Sequence, residues 1–169
     1  FEGFLRVGEL VRLRGSDLLV PTRWRDGLQG CGVRVRQAKT GRNQFARVSD
    51  PAVVRVLQFL RLMTADDALV FRGARECDFN QVLKWSCTAL GLPPKFTMHS
   101  LRHGRATWGF MNGDVPEMIR LEGRWAARRS MEIYLQAATA LLLSLRAPAA
   151  LEDLLAAGPA LRGAILSFV

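Results

Sequence analysis

The chain has 169 residues, 49% of them apolar, which suits one domain with a real core and excludes a disordered segment. Its net charge of +9 rests on 21 arginines and three lysines against 15 acidic residues. Such an arginine-rich excess favours a polyanionic partner, most simply nucleic acid, because the planar guanidinium pairs bidentately with phosphate. A genome that favours arginine codons would explain part of the arginine-to-lysine imbalance, but not the net charge.

In chain order, Phe1 to Arg14 carries Phe4, Leu5, Val7, Leu10 and Val11 at helical spacing, with Gly15 as terminator. The first residue already lies inside this pattern, so the chain reads as a fragment of a longer protein. Leu18 to Val20 suits a short strand. From Gly32 to Val48 the pattern changes to alternation, Val33 and Val35 interleaving with Arg34 and Arg36, around the polar tip Lys39-Thr40-Gly41-Arg42-Asn43. That alternation predicts a β-hairpin. Asp50-Pro51 supplies a cap and first turn for a helix to about Met63.

A further helix is expected from Asp78 to Gly91, ahead of Pro93-Pro94. Thr97 caps the next, which ends near Asn112-Gly113, and a short helix follows to Gly123. The segment with Tyr134 is expected to run helically into Ala137-Ala138-Thr139-Ala140-Leu141, and residues 147–169 form an apolar tail suited to amphipathic helices. Arg146, Glu152, Asp153 and Arg162 interrupt the C-terminal apolar stretch, which falls short of a membrane span. No secretory signal is evident, and no internal repeat. The sum is an α+β domain, mostly helical, with one small antiparallel sheet.

Cys31, Cys77 and Cys87 form no C-x-x-C pair and imply neither a zinc site nor a disulfide framework, which favours a reducing, intracellular compartment. The carboxylates are scattered, with no pattern for a two-metal site, and there is no P-loop. No metal and no cofactor is expected.

Chemically versatile residues collect in two neighbouring segments. The only two histidines lie in His99-Ser100-Leu101-Arg102-His103, and the only tyrosine, Tyr134, stands nine residues after Trp125. On a helix His99 and Arg102 share a face, their β-carbons about 5–6 Å apart, and can present an imidazole and a guanidinium to one phosphate. Alone, the pair would equally suit a packed histidine beside a surface arginine. A phenol can attack phosphorus and retain the product as a phosphoester, while arginines and a histidine stabilise the anionic transition state.

His99-Ser100-Leu101-Arg102-His103, with Ala106-Thr107, resembles the H-x-L-R-H-x-x-A-T segment of the tyrosine recombinases, the phage-integrase family. Leu5-Arg6-Val7-Gly8-Glu9-Leu10 is similar to that family's L-R-x-x-E-L motif, and Leu13-Arg14-Gly15-Ser16-Asp17-Leu18 to its continuation. Ala38-Lys39-Thr40-Gly41 stands where the family places a catalytic lysine, and Trp125 and Tyr134 match its last two positions. The agreement runs from about Phe1 to Gln136, and Gly3-Phe4-Leu5-Arg6 and Gly123-Arg124-Trp125 are reminiscent of recombinases from eukaryotic mobile elements.

The resemblance implies a catalytic domain over residues 1–146; the separate N-terminal domain with which the family clamps DNA is absent ahead of Phe1, as expected of a fragment. Tyr134 would be the nucleophile, Arg6 and Arg102 the clamp on the non-bridging oxygens, and Lys39 the proton donor to the leaving 5′ oxygen. His99 would accept the phenol proton or hydrogen-bond the phosphate. Trp125 departs from the commoner histidine and can donate a hydrogen bond without shuttling a proton. Glu9 would orient neighbouring active-site groups, and His103 would steady the helix. The implied partners are double-stranded DNA and a homo-tetramer upon it, with the apolar tail a candidate contact between protomers or simple self-packing. The compartment would be the nucleus for a eukaryotic element and otherwise the cytoplasm. A type IB topoisomerase shares this chemistry, and a non-catalytic DNA-binding remnant shares the charge. A structural scaffold leaves the motifs unexplained.

Overall fold

The computed structural model describes residues 2–21 and 30–135, together with the isolated glycines 158 and 163. The expected helix through Ala137–Leu141 and the apolar tail lie outside the described residues. Among the described residues, six helices of known bounds and three strands build a mixed helix-and-strand fold with one small antiparallel sheet. No helix among the described residues is long and apolar enough to cross a membrane.

The sheet follows the alternation closely. Strands β1 (Leu18–Leu19), β2 (Cys31–Ala38) and β3 (Gly41–Val48) pair antiparallel in the order β1-β2-β3. The pairing runs from Cys31 opposite Val48 to Ala38 opposite Gly41, which leaves Lys39 and Thr40 as a two-residue tip. Gly41 takes a φ of +147°, a region open to glycine. The inward residues Cys31, Val33, Ala46 and Val48 join Leu13, Leu18 and Val54 in one buried cluster. Helix α2 (Pro51–Met63) supplies Val54 and packs Leu57 and Leu60 against that cluster. Asp50 caps it by accepting from the backbone N–H of Ala52 at 2.9 Å. Each fully buried valine here contributes about 1.5–3 kcal/mol.

A second cluster gathers Phe4, Ala106, Ile119, Trp125 and Met131, with Tyr134 and Leu135 packed against it. It joins helices α4 (Met98–Met111), α5 (Pro116–Glu122) and α6 (Arg128–Glu132). Helix α3 (Glu76–Ala89) starts two residues before the expected Asp78, because the Asp78 carboxylate accepts the Arg75 N–H from inside the first turn at 2.8 Å.

Two expectations need correction. The first helix is not Phe1–Arg14 but the single turn α1, Val7–Leu10. Phe4 has a φ of +51° and Arg6 is extended, so no helix passes through them. The apolar spacing there serves both clusters at once, Phe4 entering one and Leu5 the other. Gly15 opens a 3-10 turn over Gly15–Asp17, where a β-carbon would collide with the carbonyl oxygens of Thr64 and Ala65.

Tyr134, likewise, is not inside a helix. It follows α6 in a tightening turn, its N–H bonded to the Met131 carbonyl at 2.8 Å and its own carbonyl taken by the Thr107 hydroxyl at 3.1 Å.

Candidate active site

Helix α4 is set by Thr97 and Ser100, whose side chains accept each other's backbone N–H groups at 3.4 and 3.1 Å. One turn in, Arg102 is driven inward and left only 2% exposed. Its two terminal nitrogens donate to the carbonyls of Phe4 and Gly123, and the Trp125 ring lies 4.5 Å from the guanidinium carbon. Its Nε has no acceptor among the described residues. Burial, then the charges of Arg6 and Arg124, lower its pKa to about 10, still far enough above neutrality to keep the cation.

Arg6 begins α1, its backbone N–H given to Glu9 Oε2 at 2.8 Å and its Nη1 to Glu9 Oε1 at 3.0 Å. The same carboxylate receives Arg124 Nη2 at 2.6 Å. Arg124 is itself buried, 7% exposed, and donates further to the carbonyls of Gly3 and Phe4 at 3.2 and 3.3 Å. Two guanidinium groups therefore hold one carboxylate, and the Phe4 carbonyl is shared by Arg124 and a third, Arg102. An excess of fixed, partly desolvated positive charge of this kind is preorganised for an anion.

Lys39, at the exposed hairpin tip, faces the same place. A cleft of about 760 Å³ is bounded by α1, the hairpin and the start of α4. Arg6, Arg12, Lys39, Arg42 and Arg102 line it beside His99, against the carboxylates of Glu9 and Glu76. Among the described residues no group of three His, Cys, Asp or Glu side chains could hold a metal ion.

Of the six residues singled out as catalytic, four thus line one cleft, and Trp125 and Tyr134 pack behind Arg102 and His99 without lining it. The Tyr134 ring lies 5.3 Å from the His99 ring, 4.9 Å from Trp125 and 4.1 Å from His103, on which it stacks. The indole of Trp125 meets Phe4 edge-on at 5.4 Å and leaves its Nε1 buried without an acceptor among the described residues. Burial and the neighbouring Arg102 and Arg6 lower the pKa of His99 below its ordinary value. His103 moves the same way, through burial and then His99.

Sequence reasoning assigned no role to Arg124, Phe4 or Thr40. Thr40 donates from Oγ1 to the Arg124 carbonyl at 3.0 Å, joining the hairpin tip to the loop after α5. Gly123, expected as the end of a short helix and as part of a motif, is also required for packing: a β-carbon there would overlap the Trp125 ring.

The fold is similar to that of a recombinase. Against the crystal structure of XerA recombinase the TM-score is 0.61 at 21% sequence identity, with 86% of this chain and 54% of that chain covered. The chain therefore spans about half the length of the XerA chain it matches. No family model and no curated protein matches the sequence.

Proposed function

We propose that the chain is the catalytic domain of a DNA breaking-and-rejoining enzyme of the tyrosine-recombinase type. One observation carries the reading: Arg6, Lys39, His99 and Arg102 line a single cleft, and the only tyrosine touches the histidine on its wall. The recombinase-like fold supports it.

In this reading Tyr134 Oη bonds to a scissile phosphorus as the bond to the 5′ oxygen breaks. The phenol proton passes to His99, which is held neutral by its surroundings, and Lys39 Nζ gives a proton to the departing 5′ oxygen. Arg6 and Arg102 hold the non-bridging oxygens through the transition state. The 3′-phosphotyrosyl link conserves the energy of the broken bond, so that a 5′ hydroxyl from a second duplex can reverse the step. Double-stranded DNA is the partner. A tetramer on two duplexes, a nuclear or cytoplasmic setting and a domain boundary near residue 146 belong to the same proposal.

The test is a nicked suicide duplex, whose 5′ fragment diffuses away and traps the covalent product. A protein–DNA adduct is expected for the native chain and none for Tyr134→Phe. An adduct of equal yield in Tyr134→Phe would remove the mechanism. Recombinant products from two duplexes, as against relaxed plasmid alone, distinguish strand exchange from simple swivelling.

A further inference from the structure

We propose that Thr40 and Arg124 are positioning residues that lock the hairpin bearing Lys39 to the arginine pair, so that proton donor and anion clamp belong to one connected network. This rests on the strand-transfer reading above and adds to it how the donor is held.

Lys39 makes no hydrogen bond or ion pair with any described residue. A flexible side chain on an exposed two-residue turn has no fixed address of its own, yet proton transfer in a transition state needs placement to within about 1 Å. The neighbouring residue supplies it. Thr40 Oγ1 donates to the Arg124 carbonyl at 3.0 Å and accepts from Gln44 Nε2 at 3.3 Å, which fixes the hydroxyl from both sides. The hairpin tip is thereby tied to a residue 84 positions away.

Arg124 then carries the connection inward. Its guanidinium holds Glu9 at 2.6 Å, Glu9 holds Arg6 at 3.0 Å, and the Phe4 carbonyl is shared between Arg124 and Arg102. No break separates the residue beside Lys39 from both arginines of the clamp. The backbone of Arg124 points the same way. Its φ of +56° is a conformation that glycine adopts freely and arginine does not. A residue with that penalty is anchored here by the bonds its side chain makes.

The experiment separates placement of the donor from general support of the fold. In one duplex the bridging 5′ oxygen at the scissile phosphate is replaced by sulfur. When the P–S bond breaks, the electron pair leaves on a thiolate, which is stable near neutral pH and needs no proton from Lys39. Thr40→Val should slow adduct formation on the ordinary duplex by about tenfold or more, while the rate on the sulfur-containing duplex stays at the native value. Thr40→Ser, which keeps the hydroxyl, should restore the ordinary rate. Arg124→Gly, which relieves the backbone, should slow both duplexes, because it also loosens Glu9 and Arg6.

Equal slowing of both duplexes by Thr40→Val would make Thr40 merely structural and overturn the latch. So would native rates on both, and native rates for Arg124→Gly would remove Arg124 from the network. If the native chain forms no Tyr134-dependent adduct on either duplex, the strand-transfer reading itself falls, and the latch with it.

Discussion

Tyr134 lies face to face with His103, their ring centroids 4.1 Å apart and their planes inclined by 21°. His99 and Trp125 meet the same phenol ring from other directions, at 5.3 and 4.9 Å. The proposed nucleophile is thus oriented by aromatic contacts, and the stack on His103 is the closest of them.

A ring pair of this kind contributes about 0.5–1.5 kcal/mol beyond its buried area, a factor of about 2–10 in how often the phenol is correctly aimed. His103→Ala should therefore lower the single-turnover rate of adduct formation by about that factor. His103→Phe, which keeps a flat partner, should stay close to native. Rates measured on the suicide duplex decide between them.

The histidines also set a pH dependence. Both are lowered from an ordinary value of 6.5, so the folded chain holds them neutral where the unfolded chain binds protons. Their contribution to stability is complete above 6.5 and is lost as pH falls through that value toward the lower folded pKa. Urea midpoints from about pH 8 to about pH 5 should decline, and the His99→Gln/His103→Gln double variant should show a flatter profile over the same window. Adduct formation, needing neutral His99, should survive at pH 6.5 and fall only below the depressed pKa.

Asp17 is 1% exposed and accepts from the Nε atoms of Arg34 and Arg36 at 2.9 and 2.7 Å and from the Arg14 backbone N–H at 3.1 Å. It ties the 3-10 turn to strand β2. Asp17→Ala leaves those donors without their acceptor and should cost about 2–3 kcal/mol, less than for a fully buried pair because both guanidinium groups reach water. Equilibrium urea unfolding measures this directly.

Gly123→Ala inserts a methyl group into the Trp125 ring. The indole cannot give way without leaving Arg102 and Phe4, so the loss should be about 3 kcal/mol, the upper end for overpacking. Thermal unfolding with and without the substitution checks it.

Arg12 is exposed, lines the cleft and has no partner among the described residues. Arg12→Gln should weaken DNA binding about equally for all sequences and reduce the slope of log affinity against log salt by about one. Titrations at several salt concentrations give the slope.

How much of this was legible in the sequence depends on how local the determinant is. The hairpin could be read because Val33 and Val35 alternate with Arg34 and Arg36, and the starts of α2 and α4 because Asp50 and Thr97 cap through bonds a few residues away. The first helix was misjudged because its apolar residues answer to two separate cores, which a single periodicity cannot express. Arg124, legible only as part of the Gly123-Arg124-Trp125 motif, shows no role in the sequence for a related reason. Its burial is made tolerable by Glu9, 115 positions distant, and nothing near it in sequence signals that pairing. Four of the six residues chosen from motifs line one cleft, and the acceptors that hold Arg102 there are main-chain carbonyls, which carry no sequence signature.

The doubly used carbonyl of Phe4 has a practical corollary. Anyone trimming this polypeptide at its first recognisable motif, Leu5-Arg6, would delete the oxygen on which Arg102 and Arg124 both rest, along with the ring that abuts Trp125. Such a shortened version would retain every residue proposed as reactive, while Arg102 and Arg124 lose the acceptor they share.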